Sequence, residues 1–315
     1  MDNASVQNRN ATGMSRLMLF LALSRTPHSL LDMTTPVYGA LLWLGTFPSL
    51  YISALGLITV FAGYTAVYAL NDVIDYRVDR EKARIAGGLR EADSYLDAAM
   101  VRHPMAQGLL SFSEGLTWAL GWSAVAMIGA YLLNPVCVII FMAGCALETV
   151  YCLMHRISPF RTIISGGVKT SGAVAAVFAV DPNPSLIYVI ILFIWLFLWE
   201  IGGQNIPADW ADIEEDRRLG AQTVPVRVGP HNAATLAFFT IAMALLINPV
   251  LIGVSTIGFQ PIFAMASFIA GASLMLPPVL QLYHSKKRHH AMILFNRASY
   301  YPLVTLIAVV AYILL

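Results

Sequence analysis

Charge is distributed along this chain in blocks. Residues 228–285 contain no Asp, Glu, Lys or Arg, residues 298–315 contain none, and residues 115–154 contain only Glu148. A helix needs roughly 20 apolar residues to cross a bilayer core, and uncharged runs of this length repeat along the sequence. The spacing predicts an all-α, polytopic membrane bundle of about nine spans, at 17–46, 51–70, 115–133, 135–154, 162–180, 185–205, 234–254, 261–283 and 298–315. Pro135, Pro182, Pro184 and Pro261 mark the short turns on one side. Composition agrees, with 58% hydrophobic and 12% charged residues among 315 and a net charge of +1. That balance excludes a basic nucleic-acid binder and a disordered acidic chain.

The bases orient the bundle. Every Lys and Arg except Arg25 and Lys169 falls in the N-terminal segment 1–16 or in the connections 71–114, 155–161, 206–233 and 284–297; the opposite turns carry none. Positive residues stay on the cytoplasmic side, so the N-terminus is expected to be cytoplasmic and the C-terminus on the other side. The run Leu17–Leu23 is short and followed by Arg25, which argues against a cleaved leader. The triplets at Asn3 and Asn10 resemble glycosylation sites on the wrong side for that modification. Cys137, Cys145 and Cys152 lie on one apolar span and read as small packing residues. One domain is expected over 17–315, behind a tail at 1–16.

Two of the basic connections open on the same acidic pattern. The first reads Asn71-Asp72-Val-Ile-Asp75-Tyr-Arg-Val-Asp79, the second Asp209-Trp-Ala-Asp212-Ile-Glu-Glu-Asp216. Aspartates at i, i+3 and i+7 fall within an arc of roughly 60° on a helix, so each triplet is expected to line one face of a continuing helix. Such carboxylates repel one another unless a cation neutralises them, and hard oxygen donors of this kind suit Mg²⁺. A single triplet reads first as exposed loop charges paired with Arg80 or Arg217; its repetition at the same spacing favours a pair of metal clusters instead. Arg25, Asp32, Glu148, Lys169, Glu200, Gln204 and Asn205 lie within spans, where an uncompensated charge costs a few kcal/mol, so they are expected to face a polar central cavity under a cytoplasmic cap. For Glu148 and Glu200, interhelical hydrogen bonding is an alternative. Tyr151 and Arg156 stand at the same level; Arg156 suits either bidentate phosphate binding or anchoring at the membrane face.

At these residues the chain resembles the UbiA superfamily of intramembrane prenyltransferases. Its members carry an NDxxDxxxD motif, matched by Asn71, Asp72, Asp75 and Asp79, and a second acidic motif followed by a basic-Gly-Thr-Pro stretch, matched by Asp209, Asp212, Asp216, Gly220, Thr223 and Pro225. Tyr151 and Arg156 resemble a family pair that contacts diphosphate, and Arg25 resembles the Arg that starts the family's first helix. One departure stands out. Members usually reach Arg-Pro-x-x-x-Gly soon after the first motif; the counterpart here is His103-Pro104-Met-Ala-Gln-Gly108, preceded by Arg102 and a longer segment, 81–101.

The resemblance implies Mg²⁺-dependent transfer of a prenyl group from a polyprenyl diphosphate to a small acceptor. Asn71, Asp75, Asp79, Asp209, Asp212 and Asp216 would bind metal, and Arg25, Tyr151, Arg156 and Lys169 the diphosphate. Asp75 and Asp212 would be catalytic through their metals, and Asp72 would orient the acceptor or take its proton. The expected acceptor is an aromatic ring such as 4-hydroxybenzoate or a naphthoate, as in quinone biosynthesis, at the plasma (inner) membrane if the source is bacterial. A UbiA-type cyclase and a non-aromatic acceptor remain open. Tyr64, Tyr68 and Trp199 are candidates for stabilising a carbocation by their ring faces, or plain packing residues. A transporter would place its charged residues near the midplane rather than in loops. A CDP-alcohol phosphotransferase would need an Asp-Gly pair, which the sequence does not contain.

Overall fold

The computed structural model describes residues 15–85, 100–258 and 260–315. The triplets at Asn3 and Asn10, Arg9, Arg90 and most of segment 81–101 lie outside the described residues. Those described form helices and connections without strands. Among the described residues eight helices are long and apolar enough to cross a membrane, and they run through Leu50–Ile74, Phe112–Leu133, Pro135–Arg156, Arg161–Val180, Leu186–Ala211, Gly229–Gly253, Pro261–Ser285 and Arg288–Leu314. The protein is therefore an integral, multi-pass membrane protein.

The expected first span is not one helix. It is broken into α1 (Arg16–Leu23), α2 (Thr26–Asp32) and α3 (Thr34–Leu44). Arg25 adopts a left-handed backbone, φ 45°, between α1 and α2, and Pro27 sits in the first turn of α2, where its missing N–H costs nothing. At the second break Pro36 has no N–H to give the Asp32 carbonyl; the Thr35 hydroxyl donates to it instead, at 3.0 Å.

α4 (Leu50–Ile74) continues four residues beyond the span expected from hydropathy and packs along α6 (Phe112–Leu133). A short helix, α5 (Tyr76–Ile85), follows α4. Next come α7 (Pro135–Leu153) and α8 (Arg161–Val180), which pack on each other. The sixth span is compound: α9 (Leu186–Trp199), a π-helical segment Glu200–Asn205, and α10 (Ile206–Ala211). Two residues explain the widened turn. Pro207 removes a ladder donor at the start of α10, and Gly202 lies so close to α13 (Gly229–Gly253) that a Cβ would collide with the Thr240 hydroxyl. After α10 come α11 (Ile213–Leu219) and α12 (Val224–Arg227).

α14 (Pro261–Ser285) and α15 (Arg288–Leu314) pack on each other and complete the bundle. α15 begins ten residues earlier than expected. Its first turns look like a basic loop in the sequence, but Arg288 Nε donates to the Ala211 carbonyl at 2.7 Å and Met292 and Phe295 cluster with Ala211, which buries this stretch beneath α10. The core is richest where α9, α13, α14 and α15 meet, around Trp195, Trp199, Tyr301 and Met275. Opposite it, α2, α3, α4, α7, α8 and the π segment enclose a central cavity of about 650 Å³.

Candidate active site

Both acidic motifs stand at one end of this cavity, and both bend. α4 stops at Ile74, Asp75 caps it at φ −80°, ψ 1°, and α5 starts at the next residue. α10 stops at Ala211, Asp212 caps it at φ −101°, ψ 9°, and α11 starts at the next residue. The backbone bond from third to middle aspartate survives in each, at 2.9 Å for Asp79 to Asp75 and 2.8 Å for Asp216 to Asp212. The continuing helix expected under each triplet is thus corrected to a helix interrupted at its middle aspartate. Asp72 and Asp79, seven residues apart and so on one helical face, still converge across the bend.

Between them lies His103. Its Nδ1 is 3.1 Å from Asp72 Oδ1 and 3.0 Å from Asp79 Oδ2, and the donor atoms of these three side chains lie within 4.8 Å of one another. His103 holds φ 49°, an uncommon backbone for a residue other than glycine, just before Pro104. Burial opposes charge on its ring, but Asp79 and Asp72 outweigh it and push the pKa up to about 9. Asp72 also accepts from Arg25 Nη2 at 3.2 Å, so its carboxylate is held by two basic groups. Asp72, expected to orient the acceptor or take its proton, is thus engaged by Arg25 and His103. Asn71 Oδ1 accepts from the same Arg25 nitrogen at 3.2 Å, while its Nδ2 donates to Glu148 Oε1 at 2.6 Å.

The second motif is held differently. Arg102 Nη2 reaches Asp212 Oδ2 at 2.5 Å, and Lys82 Nζ lies 3.9 Å from Asp212 and 3.3 Å from Asp216. Burial would raise the Asp212 carboxyl, but Arg102 and Lys82 hold it down at about 2. His155 Nε2 is 3.4 Å from Asp216 Oδ1. Asp209 is buried and lines the cavity, and its Oδ2 has no hydrogen-bond partner among the described residues. Asp75 lies between the motifs, and burial, with Asp79 beside it, raises its pKa.

The diphosphate candidates divide. Arg25 and Tyr151 line the cavity, but Arg156 does not. It is exposed and pairs with Glu81 at 2.6 Å, because the turn after Leu153 carries it outward. The buried guanidinium in the cavity belongs to Arg161, at the first position of α8, stacked 4.1 Å over the Tyr151 ring. Its Nε and Nη1 have no hydrogen-bond partner among the described residues. Lys169 lines the cavity one level deeper, but its ammonium is engaged by Asp32 and by Tyr68 Oη, the latter at 3.0 Å. Tyr64 and Tyr68 face the cavity, whereas Trp199 is buried in the core and donates to the Ala298 carbonyl at 3.0 Å. Cys137 and Cys152 are buried, Cys145 is half-buried, and all three are free.

Sequence reasoning therefore missed Lys82, Arg102, His103, His155 and Arg161 as site residues. All but the histidines pass, in the sequence, for topogenic charges. The only available signal was the displaced counterpart of the Arg-Pro stretch at His103-Pro104. Beyond the motifs the cavity becomes apolar, past Tyr64, Val60 and Phe141 to Leu57, Leu133 and Val180. The residues present fit a hard divalent cation: carboxylates converge from two helices, and a buried carboxylate oxygen of Asp209 lacks any donor among the described residues.

Comparison with known proteins matches this arrangement. The model of the UbiA prenyltransferase family matches residues 33–300. Digeranylgeranylglyceryl phosphate synthase of Pyrococcus abyssi is 25% identical over 262 residues, covering 81% of this chain and 85% of the relative. The apo structure of a UbiA homologue from Aeropyrum pernix K1 superposes with a TM-score of 0.70 at 21% identity, covering 90% of this chain and 97% of the other. A UbiA homologue from Archaeoglobus fulgidus bound to DMAPP and Mg²⁺ superposes with a TM-score of 0.67 at 17% identity, covering 94% and 99%. The cavity, its two acidic motifs and the family match agree: this chain belongs to the UbiA prenyltransferase family and is an intramembrane prenyltransferase.

Proposed function

We propose that the enzyme transfers a prenyl group from an allylic diphosphate to the hydroxyl of a polar-headed lipid acceptor, with Mg²⁺ at the two motifs. The observation that carries this reading is the cavity itself. Acidic motifs and an unsatisfied guanidinium meet at one end, and an apolar passage leads from them through the depth of the bundle. A diphosphate and a long hydrocarbon chain need those two surroundings in that order.

Asn71, Asp75 and Asp79 would hold metal on one side, with Asp72 and His103 beside them, and Asp209, Asp212 and Asp216 on the other. When bound, Mg²⁺ neutralises charge that develops on the departing diphosphate oxygens. Arg161, braced by Tyr151, and Arg25 bind those oxygens directly, and as fixed donors in a low-dielectric site they favour the leaving group. The Tyr64 and Tyr68 faces line the space beneath, where an allylic carbon acquires positive charge. The apolar wall excludes water that would intercept it. The base-rich connections support a motif end at the cytoplasmic face, of the plasma membrane if the source is bacterial.

The hydroxyl acceptor is supported by the name of the Pyrococcus relative, a glyceryl phosphate lipid synthase. The aromatic acceptor and the quinone pathway expected from the sequence find no such support. Membranes containing the enzyme, Mg²⁺ and labelled prenyl diphosphates, assayed with a prenyl glyceryl phosphate, 4-hydroxybenzoate, a naphthoate or no acceptor, separate the readings. Product with the glyceryl phosphate alone is expected. Product only with an aromatic acid, or a cyclised product without acceptor, would overturn the assignment.

A further inference from the structure

We propose that Glu200 is the general base of the transfer, accepting the proton of the acceptor hydroxyl on its Oε2 atom. The inference rests on the hydroxyl-acceptor reading above and assigns a step that the acidic motifs leave open, because Asp72 is committed to Arg25 and His103.

Glu200 opens the π segment inside the span Leu186–Ala211. It is 6% exposed and lines the cavity. An ionisable side chain at such depth is a functional group by default, and π turns inside α-helices recur at functional sites because they re-aim side chains. Its two oxygens differ. Oε1 accepts from the Ser165 hydroxyl at 2.7 Å, which fixes the carboxylate, while Oε2 has no hydrogen-bond partner among the described residues. The nearby ammonium of Lys169 is engaged instead by Asp32 and Tyr68. Glu148, a further acid on the cavity wall, is tied to Asn71 of the first motif.

Depth is the second argument. Ser165 stands one turn along α8 from Arg161, and one turn advances about 5.4 Å. The carboxylate held by Ser165 therefore lies about one turn below the guanidinium that binds diphosphate, the level at which the first carbon of the donor hangs from its diphosphate oxygen. Glu200 lines the cavity at that level, and its buried, unpartnered Oε2 is the oxygen left to accept the proton of an acceptor hydroxyl there. In the step, the C1–O bond to diphosphate breaks and its electron pair leaves with diphosphate. The acceptor oxygen forms the new C1–O bond, and the hydroxyl proton passes to the Glu200 carboxylate.

The test is Glu200→Gln, nearly isosteric, in the full-length enzyme with Mg²⁺, a labelled prenyl diphosphate and a prenyl glyceryl phosphate. Turnover should fall at least ten-fold, within the range of about 10²–10⁴ that general-base catalysis supplies, while donor affinity stays within about three-fold of wild type. Glu200→Asp should restore part of the loss. Ser165→Ala, which frees the carboxylate without removing it, should lower turnover about ten-fold at unchanged donor affinity. Turnover in Glu200→Gln within about ten-fold of wild type overturns the proposal, and so does a fall matched by an equal loss of donor binding, which would mark a structural role. Wild-type enzyme that transfers to no hydroxyl acceptor would defeat the function proposed above and this step with it.

Discussion

The two acidic motifs share spacing and a bend at the middle aspartate, yet the protein holds them by different chemistry. The first extends from a long, regular helix, and Arg25 together with the titratable ring of His103 neutralises it. The second follows a π segment, and Arg102 and Lys82 neutralise it, with the His155 ring beside Asp216 alone. Arg102 and His103 are adjacent, so one short stretch of chain touches both motifs at once. The pair is therefore symmetric in what it offers a metal and asymmetric in what holds it when no metal is bound.

The symmetric half of this comparison carries the largest expected effects. Asp75→Asn and Asp212→Asn should each lower transfer by about 10³-fold or more, measured with labelled donor in detergent, while the helical circular dichroism stays native. Near-normal turnover in one but not the other would show that a single motif suffices. Arg161→Ala should cost about 10²-fold in turnover or donor affinity, because it removes the unsatisfied guanidinium, whereas Arg156→Ala should change either by less than about three-fold.

Smaller effects probe the asymmetric half. Arg102→Ala should strengthen Mg²⁺ binding at the second motif by about ten-fold or less, since it removes a cation that competes for Asp212 while Lys82 remains; calorimetry against Mg²⁺ measures it. The His103 contribution should depend on pH in metal-free protein. Its folded pKa, about 9, lies above the ordinary 6.5. The stabilisation is therefore complete below about pH 6.5 and disappears as pH rises through about 9. Asp212 has the opposite sign: its pKa falls from 3.8 to about 2, so its stabilisation disappears only as pH drops through about 2. Hydrogen exchange across 100–110, corrected for intrinsic rates, should show protection falling between pH 7 and pH 10. Equal protection at both would show that His103 does not tie the cap to the first motif.

Much of this molecule was legible before folding. Hydropathy located every long helix after the first because membrane insertion depends on local apolar length, and the two aspartate triplets were visible as a repeat. Breaks within helices were harder to read. Pro27 and Pro36 were present in the first span, but its apolar length hid them. The basic turns that begin α15 looked like a loop until their packing under α10 appeared.

Sequence by itself thus determined the membrane class, the spans and the two acidic motifs, since each depends on residues adjacent in the chain or separated by a helical repeat. Tertiary structure decided which cations meet those motifs. It put Arg161 rather than Arg156 into the cavity, placed His103 between Asp72 and Asp79, and left one buried oxygen of Glu200 without a hydrogen-bond partner among the described residues. The physical reason is that these meetings join residues far apart in the chain, and contacts between distant helices set them.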